Sequence, residues 1–254
     1  MNFDLEGKTA LITGSSSGIG LAIAQALSDE GCRVALNGRD SAALDAASSS
    51  VAGSASCVGD VCDPQQASEV VASAATKLGS LDILVCNVGS GRSVPPGKET
   101  PDAWQQAFAE NLWSTTNCVE AARARLAKSR GVILCISSIC GSEVIDGAPV
   151  TYSAAKAALN AYVRGISRPL AEDGVRINAI ALGNVLFKGS SWEARLDDDP
   201  SGVAAMLDAQ VPLGRFGTIN EAASLASYLV SPSAGFATGA IWTLDGGQAR
   251  GGSD

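Results

Sequence analysis

The chain of 254 residues contains no histidine. That absence removes Ser-His-Asp and Cys-His nucleophilic machinery in their usual forms, and histidine metal sites with them. Proton transfer is left to Tyr, Lys, Asp, Glu or Cys. There is no C-x-x-C pair among the seven cysteines. Cys57/Cys62 and Cys135/Cys140 are both five apart, which is no standard zinc spacing, so buried free thiols in a reducing compartment are expected and a metal is not. Basic charge is sparse: 18 Lys and Arg stand against 26 Asp and Glu, a net charge of −8. Without a basic block, a nucleic-acid partner is not expected. Long apolar runs are also missing. Segments such as Val132–Ile136 have strand length and cannot span a bilayer. The start, Met1–Lys8, shows no basic stretch followed by an apolar one, so no secretory leader is read there and a cytoplasmic location is expected.

What is present alternates. Short β-rich segments (Thr9–Ile12, Arg33–Asn37, Ala55–Val58, Ile83–Cys86, Val132–Ser137, Arg176–Ile180, Ala240–Leu244) are separated by alanine-rich amphipathic ones. The latter predict helices near Ile19–Asp29, Ser41–Ser49, Pro64–Leu78, Pro101–Lys128, Tyr152–Glu172 and Asn220–Val230. Several strands are unbroken apolar runs, as a parallel sheet covered on both faces requires. The order predicts an α/β fold over residues 1–254, a single domain with a doubly wound parallel sheet and helices on both faces. Residues 188–210 interrupt the rhythm with Trp192, Asp197-Asp198-Asp199-Pro200 and an apolar patch around Met206. An insertion so placed reads as a substrate loop or lid, or else as an acidic surface loop.

Two motifs carry chemistry. The first strand runs into Thr13-Gly14-Ser15-Ser16-Ser17-Gly18-Ile19-Gly20. Glycines there let the backbone approach a pyrophosphate, which the following helix N-terminus attracts. Gly14-x-Ser16-x-Gly18 also matches a hydrolase nucleophile elbow, but that chemistry needs a histidine base. Tyr152 and Lys156 are four residues apart, about one helical turn, and so share a face. A lysine ammonium beside a tyrosine stabilises its phenolate and is expected to lower its pKa.

Thr13-Gly-x-x-x-Gly18-x-Gly20 with Tyr152-x-x-x-Lys156 resembles the short-chain dehydrogenase/reductase family, from Gly7-Lys8-Thr9-Ala10 to Leu244-Asp245-Gly246-Gly247. The resemblance implies a Rossmann fold, hydride transfer between a nicotinamide and a carbonyl or secondary alcohol, and a homo-oligomer, a tetramer or a dimer. It assigns Gly14, Ser16, Ser17, Gly18, Ile19 and Gly20 to the cofactor turn, and Asp60-Val61 to the adenine ring. Asn87 and Gly89 are assigned to the ribose side and Val185 to the nicotinamide. It makes Asn111 the holder of a relay water, Ser138 the hydrogen-bond donor to the substrate oxygen, and Tyr152 the general acid/base. Lys156 would tune Tyr152 and hold the ribose hydroxyls. Asn111 could instead satisfy helix backbone, Ser138 could cap its strand with Ser137 as an alternative, and Asp60 could be a turn residue.

At the end of the second strand the sequence is Leu36-Asn37-Gly38-Arg39-Asp40. The usual acid position is Gly38, and the guanidinium of Arg39 suits a 2′-phosphate, so NADP(H) is expected over NAD(H). Asp40 would favour the opposite choice if the turn shifted. Departures from the family pattern are Val88 for a small alanine, Leu182-Gly183 for Pro-Gly, and Phe187 where a threonine often binds the carboxamide. The substrate class stays open between 3-oxoacyl compounds and keto-sugars or polyols. Trp192, Arg195 and Lys188 suit a polar ligand or serve as fold contacts. A non-catalytic dinucleotide-binding regulator is the alternative from another class.

Overall fold

The computed structural model describes residues 3–250. Residues 1–2 and 251–254 of the expected domain span lie outside the described residues. The strands are β1 Thr9–Ile12, β2 Arg33–Gly38, β3 Ala55–Val58, β4 Ile83–Cys86, β5 Val132–Ser138, β6 Arg176–Leu182, β7 Val185–Leu186, β8 Gly217–Thr218 and β9 Ile241–Leu244. The helices are α1 Gly18–Asp29, α2 Ser41–Ser50, α3 Pro64–Leu78, α4 Pro101–Phe108, α5 Ser114–Ser129, α6 Val150–Glu172, α7 Ser191–Asp198, α8 Pro200–Gln210 and α9 Ile219–Val230. Seven strands form one sheet in the order β3-β2-β1-β4-β5-β6-β9, while β7 and β8 pair separately. Every pairing in the large sheet is parallel. This is the doubly wound Rossmann arrangement, with its order reversing between β1 and β4, the point where such sheets open a crevice.

The apolar runs work by alternation across the sheet. Leu11, Leu84, Ile133 and Ile177 stand in register across β1, β4, β5 and β6. That row packs with α3, α5 and α6 through Val70, Leu126 and Leu159. Their neighbours Ile12, Val85 and Leu134 pack on the other face with Ile23 and Leu27 of α1 and Leu229 of α9. Each such side chain contributes roughly 1.5–3 kcal/mol on burial. Register is therefore fixed by the core, and with it the position of the strand ends that carry the polar residues.

Two elements differ from the sequence expectation. The helix read over Pro101–Lys128 is broken by a π-helical turn at Ala109–Trp113 between α4 and α5. Asn111 sits in that turn and donates from Nδ2 to Ala107 O and to Ser90 O, both at 3.0 Å. A wide turn anchored on a neighbouring loop leaves no periodicity signal. Residues 188–210 are largely helical. Ser190 accepts from Glu193 N to start α7, and Asp199 accepts from Gly202 N to start α8. The acidic run thus ends in an N-cap, with Pro200 at the first helical position, a start signal readable from the sequence. Among the described residues no helix is long and apolar enough to cross a membrane.

Candidate active site

A cleft runs across the C-terminal ends of β1, β4, β5 and β6. One cavity of about 410 Å³ is lined by Gly14, Ser17, Gly18, Gly89, Ser138, Tyr152, Lys156 and Phe187, among others. A neighbouring one of about 530 Å³ extends from Gly14 to Gly38, Arg39, Asp60 and Val61. They share Gly14, Ser17, Asn87 and Gly89. A third, about 430 Å³, opens from Ser138 and Tyr152 towards Trp192, Met206 and Gln248.

The turn after β1 is held from the β4 side. Asn87 Nδ2 donates to Thr13 O (3.1 Å) and Gly14 O (2.9 Å), and Asn87 N donates to Thr13 Oγ1 (3.0 Å). This clamp leaves no space at Gly20, where a Cβ would lie 2.5 Å from both Asn87 Nδ2 and Gly14 O. Ser17 is the N-cap of α1, yet its side chain makes no capping bond. The first N–H groups of α1 therefore face the cleft without a side-chain cap, an arrangement suited to an anion. Gly20→Ala is expected to cost about 1–3 kcal/mol. The thermal midpoint should drop by several degrees, with affinity for a nicotinamide dinucleotide falling at least about tenfold as the clamp yields. Differential scanning calorimetry and fluorescence titration check both. An unchanged midpoint would show that the clamp is loose.

One face of α6 meets the end of β5. Tyr152, Lys156 and Asn160 recur every fourth residue on that helix. Lys156 Nζ, almost fully buried, donates to Ile136 O at 2.8 Å. Ser137 Oγ donates to Asn160 Oδ1 at 2.6 Å. Ser137 is thereby committed to the helix, which separates it from Ser138. Ser138 Oγ accepts from Cys140 N at 3.2 Å and lines the cavities that Tyr152 also lines. Having accepted, it still has its hydrogen to donate.

Lys156 Nζ is 5.9 Å from the centre of the Tyr152 ring. Its proximity alone predicts a lowered tyrosine pKa, but burial wins. Desolvation raises Tyr152 to about 12, against the opposing hydrogen bond of Ser138. Burial likewise pulls Lys156 down to about 8. The pair is thus held as a protonated phenol over a lysine that titrates near physiological pH.

Asn111 is buried at the back of this group and does not line the cleft. Its Oδ1 accepts from Ser90 N at 3.0 Å. A Cβ on Gly89 would lie 2.8 Å from Asn111 Oδ1 and 3.0 Å from Lys156 Nζ. Asn111 therefore satisfies backbone, as its alternative reading held, and also packs beside the lysine through a gap that only glycine leaves.

At the other end, Asp40 Oδ1 accepts from Ala42 N and Ala43 N, which commits the side chain to capping α2. Arg39 Nη1 lies 3.7 Å from Asp60 Oδ2, with most of the arginine exposed. Asp60 also accepts from Cys62 N (3.0 Å), the turn role, while lining the same cavity as Val61. Ser16 faces Gly38, and Ile19 and Phe187 each pack against the edge of the core. Phe187 lies over the turn, its ring 2.7 Å from where a Gly18 Cβ would be. Val185 lines the cavity between Gly183 and Phe187.

The glycine cradle, the uncapped helix end and the continuous cleft fit a dinucleotide. Among the described residues no acidic, cysteine or histidine cluster could hold a metal ion. The sequence reading missed the polar wall beyond Tyr152, formed by Asn184, Gln210 and Gln248. No motif marks these residues, because chain folding alone brings them together.

Comparison with known proteins points the same way. The family profile described as Enoyl-(Acyl carrier protein) reductase matches residues 14–249. Galactitol 2-dehydrogenase (L-tagatose-forming) of Cereibacter sphaeroides is 35% identical over 255 residues, covering 96% of this chain and 96% of that protein. The 3-oxoacyl-[acyl-carrier-protein] reductase of Escherichia coli is 32% identical over 250 residues, covering 98% and 99%. The L-sorbose reductase of Gluconobacter frateurii, solved with NADPH and L-sorbose, superposes with a TM-score of 0.92 at 28% identity, covering 99% and 100%.

Proposed function

Since the chain belongs to the short-chain dehydrogenase/reductase family of oxidoreductases, we propose that it interconverts a carbonyl and a secondary alcohol with NADP(H). The observation that carries this reading is the convergence of Ser138 and Tyr152 on the cavity they share, with Lys156 buried beneath. The bound nicotinamide supplies the hydride in reduction and accepts it in oxidation. Ser138 donates its hydroxyl hydrogen to the substrate oxygen and orients it. Tyr152 delivers its proton to that oxygen in reduction and takes it back in oxidation. Lys156, when protonated, stabilises the phenolate left behind and presents donors to the ribose. Asn111 holds the Ser90 backbone beside the Gly89 turn, close to Lys156, and would be the residue next to which a relay water connects.

The turn from Gly14 to Gly20, with Asn87, Gly89 and Val185, would hold the cofactor, and Asp60 and Val61 its adenine end. Residues 188–210 form a wall of the substrate cavity, and the whole chain acts as one catalytic unit. The reading includes a homo-oligomer, most simply a tetramer. Trp104 and Trp113, partly exposed along the α4–α5 run, offer it an apolar face.

The NADP(H) preference rests on Arg39, held only by a long, exposed contact to Asp60, and on Asp40 being engaged as the cap of α2. Because Arg39 is mostly exposed, solvent screens it, and Arg39→Ala is expected to weaken NADPH affinity by only about tenfold. A Cβ on Gly38 would sit 3.5 Å from Ser16 and 3.6 Å from Leu44, ordinary contact, so Gly38→Asp has room. Combined with Arg39→Ala it should turn the preference towards NADH. Titration of each variant with both nucleotides checks this, and an unaltered ratio would contradict the assignment.

The function itself is tested by following NADPH absorbance with ketose, alkanone, steroid ketone and acyl-thioester substrates. Turnover of at least one is expected. NADPH binding with no carbonyl reduced would favour the non-catalytic regulator instead.

A further inference from the structure

The third cavity carries a feature that carbonyl reduction does not require. Gln248 is almost wholly buried, and its Oε1 has no hydrogen-bond partner. Its position is built with care. Asp245 accepts from Gly247 N (2.9 Å) and Ala249 N, closing a tight turn. Gly246 and Gly247 adopt left-handed conformations (φ 66° and 87°) that few other residues tolerate. Arg250 N donates to Glu143 Oε2 at 2.8 Å, pinning the segment to the loop after β5. The amide lies against Gly183, where a Cβ would be 3.1 Å from Oε1. It lines the same cavity as Ser138 and Tyr152.

Other groups on this cavity point to the same chemistry. Asn184 Nδ2 reaches only the thioether of Met206, at 3.6 Å, a weak acceptor that a hydroxyl would readily replace. Asp146, Asp198 and Asp199 line it against a single cation, Arg195. That guanidinium stacks 4.9 Å from the Trp192 ring. Three carboxylates to one guanidinium disfavour an anionic ligand, and they accept hydrogen bonds from hydroxyls.

We infer that this cavity binds a neutral polyhydroxylated ketone or its polyol, and that Gln248 is the residue that selects it by accepting a hydrogen bond from a substrate hydroxyl. Water can reach Asn184 while the cavity is open to solvent, but Gln248 Oε1, tucked against Gly183, has no partner at all until the amide turns to meet a ligand hydroxyl. An alkyl chain or steroid ring would expel the water and leave both amides unpaired, whereas hydroxyls supply the missing bonds. A site built to hydrogen-bond a hydroxyl discriminates strongly against analogues that lack it.

The inference rests on the proposed reductase activity, so the test has two arms. In the first, kcat/KM with NADPH is measured for L-sorbose and D-fructose against 2-hexanone and acetoacetyl-thioester, for the wild type, Gln248→Leu and Gln248→Glu. The wild type should prefer the ketohexoses. Gln248→Leu should cut the ketohexose-to-hexanone ratio by roughly tenfold or more, the value of one lost hydrogen bond. Gln248→Glu, which keeps an acceptor, should retain more of it. In the second arm, sorbitol and galactitol, which cannot react with NADPH, are titrated calorimetrically into the protein–NADPH complex. Binding should appear in the wild type and weaken at least as much in Gln248→Leu.

A wild type that prefers hexanone or the thioester, or a ratio unmoved in both variants, overturns the inference while leaving the reductase standing. Hexitol binding that depends on Gln248, with no carbonyl turned over, supports the inference and removes the reductase instead. Absence of both hexitol binding and ketohexose turnover overturns it outright.

Discussion

Tyr152→Phe is expected to lower kcat for ketone reduction by about 10³-fold, within the range for loss of a general acid. The ring stays, so the helix face that carries Lys156 onto Ile136 O and Asn160 onto Ser137 is undisturbed. NADPH should therefore bind within about threefold of the wild type, and the loss should appear in kcat and kcat/KM alike. The pH dependence follows from burial. With its pKa raised to about 12, Tyr152 holds its proton throughout the neutral range and is available as the acid for reduction. The base form needed for alcohol oxidation is scarce there, so oxidation should climb with pH from about 7 towards 10 while reduction does not. Steady-state assays in both directions check this. A Phe variant that retained most of its kcat would remove Tyr152 from the proton path.

Lys156→Met is expected to lower kcat/KM by about 10²-fold and to change how stability responds to pH. The unfolded lysine keeps its proton to about 10.5, whereas the folded one releases it near 8 because burial penalises the charge. Between those values the unfolded chain binds more protons, so wild-type stability should rise with pH through that window. Below about 8 the cost of the buried charge is fully present, on the order of 3 kcal/mol. Losing the bond to Ile136 O strands a carbonyl at about 1–3 kcal/mol, so near pH 7 the two effects nearly cancel. The slope is the sharper observable. Urea midpoints for wild type minus variant should increase from about pH 8 to 10, below the range where Tyr152 contributes with opposite sign. A difference that stays flat would mean that Lys156 is not desolvated.

How much of this could be read from the chain depended on whether the signal was local. The strands were legible because each is an unbroken apolar run, and Leu11 and Ile12 feed opposite faces whatever the details. Gly14, Gly18 and Gly20 were legible because close backbone approach requires glycine. Tyr152 and Lys156 were legible from their spacing, but the direction of the tyrosine's pKa was not. It depends on how deeply α6 buries the ring against β5, which spacing does not encode. Ser138 was assigned with Ser137 kept as an alternative, and spacing could not show that Asn160 takes Ser137. The π-helical turn at Asn111 and the orphaned amide of Gln248 depend on partners far along the chain. By contrast the caps Ser190 and Asp199-Pro200 were written in the sequence, where the acidic run obscured them.

The most direct test of hydride transfer uses NADPH deuterated at nicotinamide C4. The labelled cofactor is incubated with the wild-type protein and the best ketose, and the product alcohol is examined by mass spectrometry and NMR. Deuterium on the former carbonyl carbon, from one face of the nicotinamide only and absent with Tyr152→Phe over the same interval, is the predicted result. Cofactor binding with no alcohol formed, or alcohol formed without the label from either face, would contradict it.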